Sequence, residues 1–331
     1  MDQSSDKCDQ PTDSTQNLMA AIFFGLHLAG IIPHLCVFPA TFQLAKKLSA
    51  FMLLLTINVM HFLLLLWGVY FYGQYFIGQR IRLTSLDLDA FVFQIAHSNS
   101  MALYVFLSLN RAVAIIFPLK YDVVFSVRKT KFCITVCLIY STAYSIFANY
   151  RPALRYSMCL QNLQPFFPPA MITEPDLITS LILTIGTVFL TITTLTPPIL
   201  YCICVIYMVF GIVKKAFFSS TANYPPPASN NAIDHLLRER TRLYLICLLG
   251  TLPPFILFLL PIVQQMLAIH VFFTPFYAIF HIQQPILMMA LSVKLQHEML
   301  KVFKNTLKLI LGTPSATNGS TSFVVIRHAW T

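Results

Sequence analysis

Residues 109–121 read Leu-Asn-Arg-Ala-Val-Ala-Ile-Ile-Phe-Pro-Leu-Lys-Tyr and close a long apolar segment. A single arginine, Arg111, stands near the end of that segment; Pro118 follows seven residues later, and then Lys120. An ionisable side chain at that depth of a membrane helix is costly and therefore functional by default. The bland alternative is an arginine that snorkels to the interface and merely marks it.

Outward from this run the chain is apolar almost throughout. Fifty-seven per cent of residues are hydrophobic and ten per cent charged, with a mean hydropathy of +0.71. A soluble globule carries about a quarter charged residues, so that class is excluded. Apolar stretches lie near 18–45, 50–77, 88–117, 132–150, 177–213, 243–269 and 271–293. Each is long enough for a bilayer of about 30 Å, which takes roughly twenty residues. The expectation is an all-α membrane protein, a bundle of seven transmembrane helices. Only His270 and a turn at Pro275 divide the last two runs, and without that division the count is six. Prolines inside the spans, among them Pro198, Pro254 and Pro285, suit kinked helices whose neighbours re-satisfy the freed backbone.

Charge gives the orientation. With the N-terminus extracellular, the outer loops hold Lys7, Arg80, Arg82, Arg151 and Arg155, and the other seventeen of the twenty-two basic residues face the cytoplasm. Such a bias is what the positive-inside rule requires. The net charge of +10 then belongs to loops beside anionic lipid, and no nucleic-acid partner is implied. Residues 1–17 carry four aspartates and no basic n-region, so the first span is expected to act as a signal anchor. The expected organisation is an extracellular N-terminus 1–17, a seven-span domain 18–293, an amphipathic helix 294–311 and a cytoplasmic tail 312–331.

Six of the eight cysteines lie in spans, and only Cys8 and Cys159 could pair outside them. No cysteine or histidine spacing suggests a metal. No nucleotide-binding glycine loop or intramembrane acidic pair is present, so neither cofactor nor enzymatic chemistry is implied. The third inner loop, about 214–241, contains the stiff run Tyr224-Pro225-Pro226-Pro227. Over 294–311, Leu295, Met299, Val302, Phe303, Leu307 and Ile310 share one helical face, with Lys294, His297, Lys301, Lys304 and Lys308 on another. That segment should lie on the inner leaflet, with membrane lipid as its partner. Asn318-Gly319-Ser320 matches a glycosylation acceptor that a cytoplasmic tail would never present to the transferase.

The run at 109–121 resembles the inner end of the third helix in rhodopsin-like G-protein-coupled receptors. Their pattern is an acid, arginine, an aromatic, then Ala-Ile, Pro-Leu and often Lys-Tyr at this spacing. Asn110 stands where the acid would be and Ala112 where the aromatic would be. The resemblance implies that Asn110, Arg111, Pro118 and Lys120 serve coupling to a heterotrimeric G protein. Asn110 offers only a neutral hydrogen bond, so the resting lock on Arg111 should be weak and basal activity raised.

At 3.6 residues per turn the face of Arg111 also bears Phe93, His97, Ser100 and Tyr104. Phe93, Gln94 and His97 precede Arg111 by 18, 17 and 14 residues, or roughly 21–27 Å of helix. That depth is where related receptors bind small ligands between helices. Phe93 stands where aminergic receptors place an aspartate, which argues for a neutral or weakly polar ligand. Phe276, Tyr277 and His281 on the last span complete the expected ligand set. The alternative reading of His97 is a neutral ring hydrogen-bonded to a neighbouring helix, and that of the aromatics is packing. Gln284-Pro285-Ile286-Leu287-Met288 occupies the place of the family's Asn-Pro-x-x-Tyr, and Thr251-Leu252-Pro253-Pro254-Phe255 that of Cys-Trp-x-Pro. Pro198, Pro254 and Pro285 are the expected activation kinks.

Leu86 stands where most such receptors have a helix-three cysteine, and His61 near the place of their sodium-binding aspartate. With the Asn-Arg start, these departures resemble the nematode serpentine chemoreceptors, and Leu107–Tyr121 is most similar to their class V. The resemblance implies a chemosensory receptor at the plasma membrane of sensory cilia, detecting an odorant, tastant or pheromone. Arrestin and a kinase would act at the Ser/Thr-rich tail. A peptide receptor is a near alternative, but such receptors usually keep the helix-three cysteine. A seven-span ligand-gated channel would need inverted topology, which the basic-residue bias opposes. A transporter would more often show paired repeats and intramembrane acids.

Overall fold

The computed structural model describes residues 14–76, 86–150, 177–219, 249 and 273–310, and every element in them is helical. In chain order these are α1 (Ser14–Ala45), α2 (Ser49–Phe76), α3 (Leu86–Ile116), a 3-10 turn (Pro118–Lys120), α4 (Tyr121–Val124), α5 (Val127–Tyr150), α6 (Leu177–Ser219), α7 (Phe273–Leu291) and α8 (Val293–Ile310). Six of the seven expected spans coincide with α1, α2, α3, α5, α6 and α7. Apart from Leu249, the expected span 243–269 lies outside the described residues, as do the division at His270, Cys8, Cys159 and the tail.

Among the described residues, four helices hold a segment long and apolar enough to cross a membrane: Ala20–Ala45, Ser49–Gly73, Ile95–Ile116 and Thr184–Tyr207. Helix α5 opens on Arg128, Lys129 and Lys131, and the apolar part of α7 is the shorter Ile279–Leu291.

Helix α1 shows how such a chain sorts its residues. Ala20, Phe23, His27, Gly30, His34, Val37, Thr41 and Leu44 are all buried. They recur every three or four residues, which is one stripe of an α-helix. Leu18, Ile22, Leu28, Ile32, Leu35, Phe38 and Phe42 cover the rest and stay exposed. The buried stripe is smaller and more polar than the exposed face. In lipid the hydrophobic effect does not draw helices together, so close packing and interhelical hydrogen bonds must. Gly30 packs on Ile282 of α7 and Leu65 of α2, and Gly68 of α2 lies directly against the His27 ring.

Helix α3 runs through the centre, against α2, α5 and α6; α1 packs on α2, α7 and α8. The main core gathers Leu53, Leu54, Ile57, Leu103, Leu107, Tyr201, Phe280 and Met288 from α2, α3, α6 and α7. Local chemistry places the ends. Ser126 caps α5, its Oγ accepting from Lys129 N at 3.3 Å, and Ser292 caps α8 in the same way through Leu295 N at 3.3 Å. These are the N-cap bonds that favour serine at that position. Gln296 Nε2 donates back to the carbonyls of Met289 (2.7 Å) and Ala290 (3.2 Å), closing the last turn of α7 at the corner.

Candidate functional site

Among the described residues, two clusters of buried polar side chains lie inside the bundle. The first is at mid-height and begins with Pro285. Proline has no N–H, so it leaves the carbonyl four residues earlier without its helical donor. That carbonyl belongs to His281, and His34 Nε2 of α1 donates to it at 2.9 Å. His34 therefore supplies from another helix the bond that Pro285 cannot make. Around this contact the His61 ring lies 4.8 Å from His281, 4.9 Å from Phe280, 5.9 Å from Tyr104 and 6.4 Å from His34. The Tyr104 hydroxyl donates to Gln284 Oε1, tying α3 to α7 beside the kink. One turn further in, Asn58 Nδ2 of α2 donates to Met288 Sδ at 3.7 Å. Met288, which replaces a tyrosine in the resemblance, is fully buried there.

The second cluster is at the C-terminal end of α3. Asn110 is fully buried and Arg111 is buried beside it. The Asn110 amide faces the Tyr121 hydroxyl, with Nδ2 donating at 3.0 Å and Oδ1 accepting at 3.3 Å. Ser49 Oγ at the start of α2 shares that hydroxyl at 2.8 Å. Tyr121 thus bridges α3, α2 and the loop that follows Pro118. The loop is short because Pro118 opens a 3-10 turn after Phe117 and α4 continues from it. Lys120 is exposed, and Lys129 Nζ donates to the Val123 carbonyl.

The remaining expected site residues fall as follows. His97 is half-buried on the inward side of α3, and Ser100 Oγ donates to its carbonyl at 2.8 Å. Phe93 and Gln94 lie on α3, and Phe276 and Tyr277 in the first turns of α7, placed by backbone alone. Pro198 sits within a continuous α6, and Pro285 is buried in α7. Pro254 lies outside the described residues. His281 faces α1 and α2 and is buried, in company with His61, with which sequence reading did not group it. His34, Asn58, Ser49 and Tyr121 were not singled out as site residues at all. A signal for His34 existed: it is a histidine in a span without charges, and Pro285 frees a carbonyl with no local donor.

Comparison with a model of serpentine-type seven-transmembrane G-protein-coupled chemoreceptors, the Srx family, gives a match over residues 24–206. That stretch is more than half of the chain and contains both inner-end partners, Asn110 and Tyr121. The chain belongs to the Srx family. Among solved structures, squid rhodopsin aligns with this serpentine receptor at a TM-score of 0.64 and 14% identity, covering 91% of this chain and 89% of its own. At that identity the likeness speaks for the fold, a rhodopsin-type seven-helix bundle. No curated protein sequence matches the chain. The protein is thus a multi-pass chemoreceptor of the G-protein-coupled class, a family of receptors and not of enzymes in general.

Proposed function

We propose that this receptor takes a small extracellular ligand between its helices and couples it to a heterotrimeric G protein at the inner end of α3. The observation that carries the reading is the buried Asn110-Arg111 pair, with Asn110 fastened to Tyr121 of the following loop. In this reading Arg111, Pro118, Lys120 and the inner ends of α5 and α6 form the G-protein face. Phe93, Gln94, His97, Phe276, Tyr277 and His281 line or support the ligand site, and Pro198, Pro254 and Pro285 are the points where helices bend. A neutral or weakly polar ligand fits a site that has Phe93 where an amine receptor has an acid. The N-terminus is extracellular, and α8 lies on the inner leaflet through Lys301, Lys304 and Lys308. A plasma-membrane place in sensory cilia and a tail open to kinase and arrestin complete the proposal. The likeness of residues 107–125 to class V is local beside the Srx match, and the shared serpentine group carries the functional reading.

The test separates topology from coupling. An acceptor site engineered near Thr12 should gain an endoglycosidase-sensitive glycan while Asn318 gains none. A glycan at Asn318 would place the tail outside, and Arg111 could not then meet a G protein. With topology fixed, Arg111→Ala should abolish ligand-evoked G-protein activation at unchanged surface expression.

A further inference from the structure

The middle cluster contains a protonatable group whose tautomer the geometry fixes. His34 Nε2 bonds a backbone carbonyl, an acceptor only, so Nε2 carries the hydrogen. In the neutral ring Nδ1 is then the lone-pair nitrogen, and it is buried with no hydrogen-bond partner. His61 and His281 stand beside it, their rings 4.8 Å apart. Three imidazoles could suggest a metal site, but no group of three or more His, Cys, Asp or Glu among the described residues is disposed to hold one. What remains is a site for a proton.

We propose that His34, His61 and His281 form a proton-binding site at the α1–α7 contact, through which acid loosens α7 at Pro285 and raises ligand-independent signalling. The proposal rests on the receptor reading above. A proton taken at His34 Nδ1 makes the ring an imidazolium while its Nε2–H stays on the His281 carbonyl. Among the described residues, the groups gathered around that charge are His61 on α2, His97 and Tyr104 on α3, and His281 on α7, with His27 two turns away on α1. His97 is near enough to His61 and His281 for a charge on one to be felt by the others.

None of these is a carboxylate. Helices α1, α2 and α7 contain no Asp, Glu, Lys or Arg, and α3 has only Asp87, Asp89 and Arg111. Asp89 precedes His97 by eight residues, roughly 12 Å of helix, and Arg111 follows Tyr104 by seven, roughly 10 Å. The charges of α8 begin beyond the capped corner at Ser292. A buried charge without a counter-ion is stabilised only by hydration, and water enters where helices part. The softest contact is α7, which lacks the helical bond from residue 285 to residue 281 and is tied laterally by His34 and Tyr104. Proton uptake and movement of α7 are therefore linked, and by reciprocity a receptor with α7 displaced binds the proton more tightly.

The test uses the full chain in lipid nanodiscs. Amide hydrogen exchange over residues 280–291 is measured at about pH 7.5 and about pH 6, the range in which histidine titrates, and corrected for intrinsic exchange chemistry. In wild type the corrected exchange should quicken on the order of tenfold in acid, as expected for one proton linked over about a pH unit. The double variant His34→Gln/His61→Gln should lose that response, since the Gln amide nitrogen takes the place of the His34 ring Nε2 and still donates to the His281 carbonyl but takes no proton. His297→Gln on exposed α8 should keep it. Should the double variant fold poorly, His34→Gln alone, which removes the proton-accepting nitrogen, is read in the same way. Absence of an acid response in wild type, or its persistence in the double variant, would overturn the proposal. G-protein activation in cells at the same two acidities is the second arm. Exchange that responds while signalling does not would overturn the link from the proton site to signalling, whereas a wild type whose tail is glycosylated at Asn318 would overturn the receptor reading instead.

Discussion

The middle and inner-end clusters use similar side chains for opposite ends. At mid-height every partner sits on a long helix, and His34, His61, His281 and Gln284 are at most 2% exposed. Each is held by packing from several helices, and two of them bond across helices, His34 to the His281 carbonyl and Gln284 from the Tyr104 hydroxyl. At the inner end one partner, Tyr121, belongs to a short half-exposed turn and shares its hydroxyl with Asn110 and Ser49. The first arrangement cannot open without moving a helix. The second can open by moving a few residues of loop. Buried polarity in this bundle therefore opens with a helix where helices supply both partners, and with a few loop residues where a loop supplies one.

Removing the middle contact should have the largest effect. His34→Leu leaves the His281 carbonyl buried without a donor and should lower unfolding free energy in detergent by about 3 kcal/mol, while His34→Gln should recover most of it. If the leucine variant were as stable as wild type, the kink would not depend on α1. Next comes Gly68→Ala, whose methyl would enter the His27 ring. We expect a loss of about 2 kcal/mol from overpacking, read as a lower midpoint of thermal unfolding with correct membrane insertion.

Tyr104→Phe sharpens the comparison from within the middle layer. It strands the Gln284 carbonyl oxygen and should cost about 1–2 kcal/mol. Tyr121→Phe, by contrast, should cost about 1 kcal/mol or less and show itself as higher ligand-independent signalling. A large loss of stability there would erase the distinction between the clusters. The smallest change is Asn110→Asp, which returns an acid beside Arg111 and should reduce ligand-independent signalling. Activity at or above wild type would show that the neutral amide is not what loosens the resting state.

Helix positions were legible because lipid-facing residues are large and apolar and inward positions recur every three or four. That regularity located six helices to within a few residues, apart from the start of α5 at Val127 and the end of α6 at Ser219. The path of hydrogen bonds was less legible. Gln284-Pro285 announced a kink, but nothing near it in sequence announced the donor, which lies 247 residues away. Asn110 was weighed only as a neighbour of Arg111. Its amide instead meets a tyrosine eleven residues on, in reach only because Pro118 turns the chain back. His61 and His281 were each read as isolated histidines, since their grouping depends on how three helices are rotated against one another. Composition carries no trace of that rotation.

The bond between His34 and the His281 carbonyl also sets an order of assembly. A chain entering the bilayer from its N-terminus places α1 well before α7. Until α7 arrives, the His34 ring N–H has no carbonyl to meet, and α7 arrives with one backbone oxygen it cannot satisfy by itself. The two helices therefore complete each other, and this contact closes, like a clasp, only once α7 is in place.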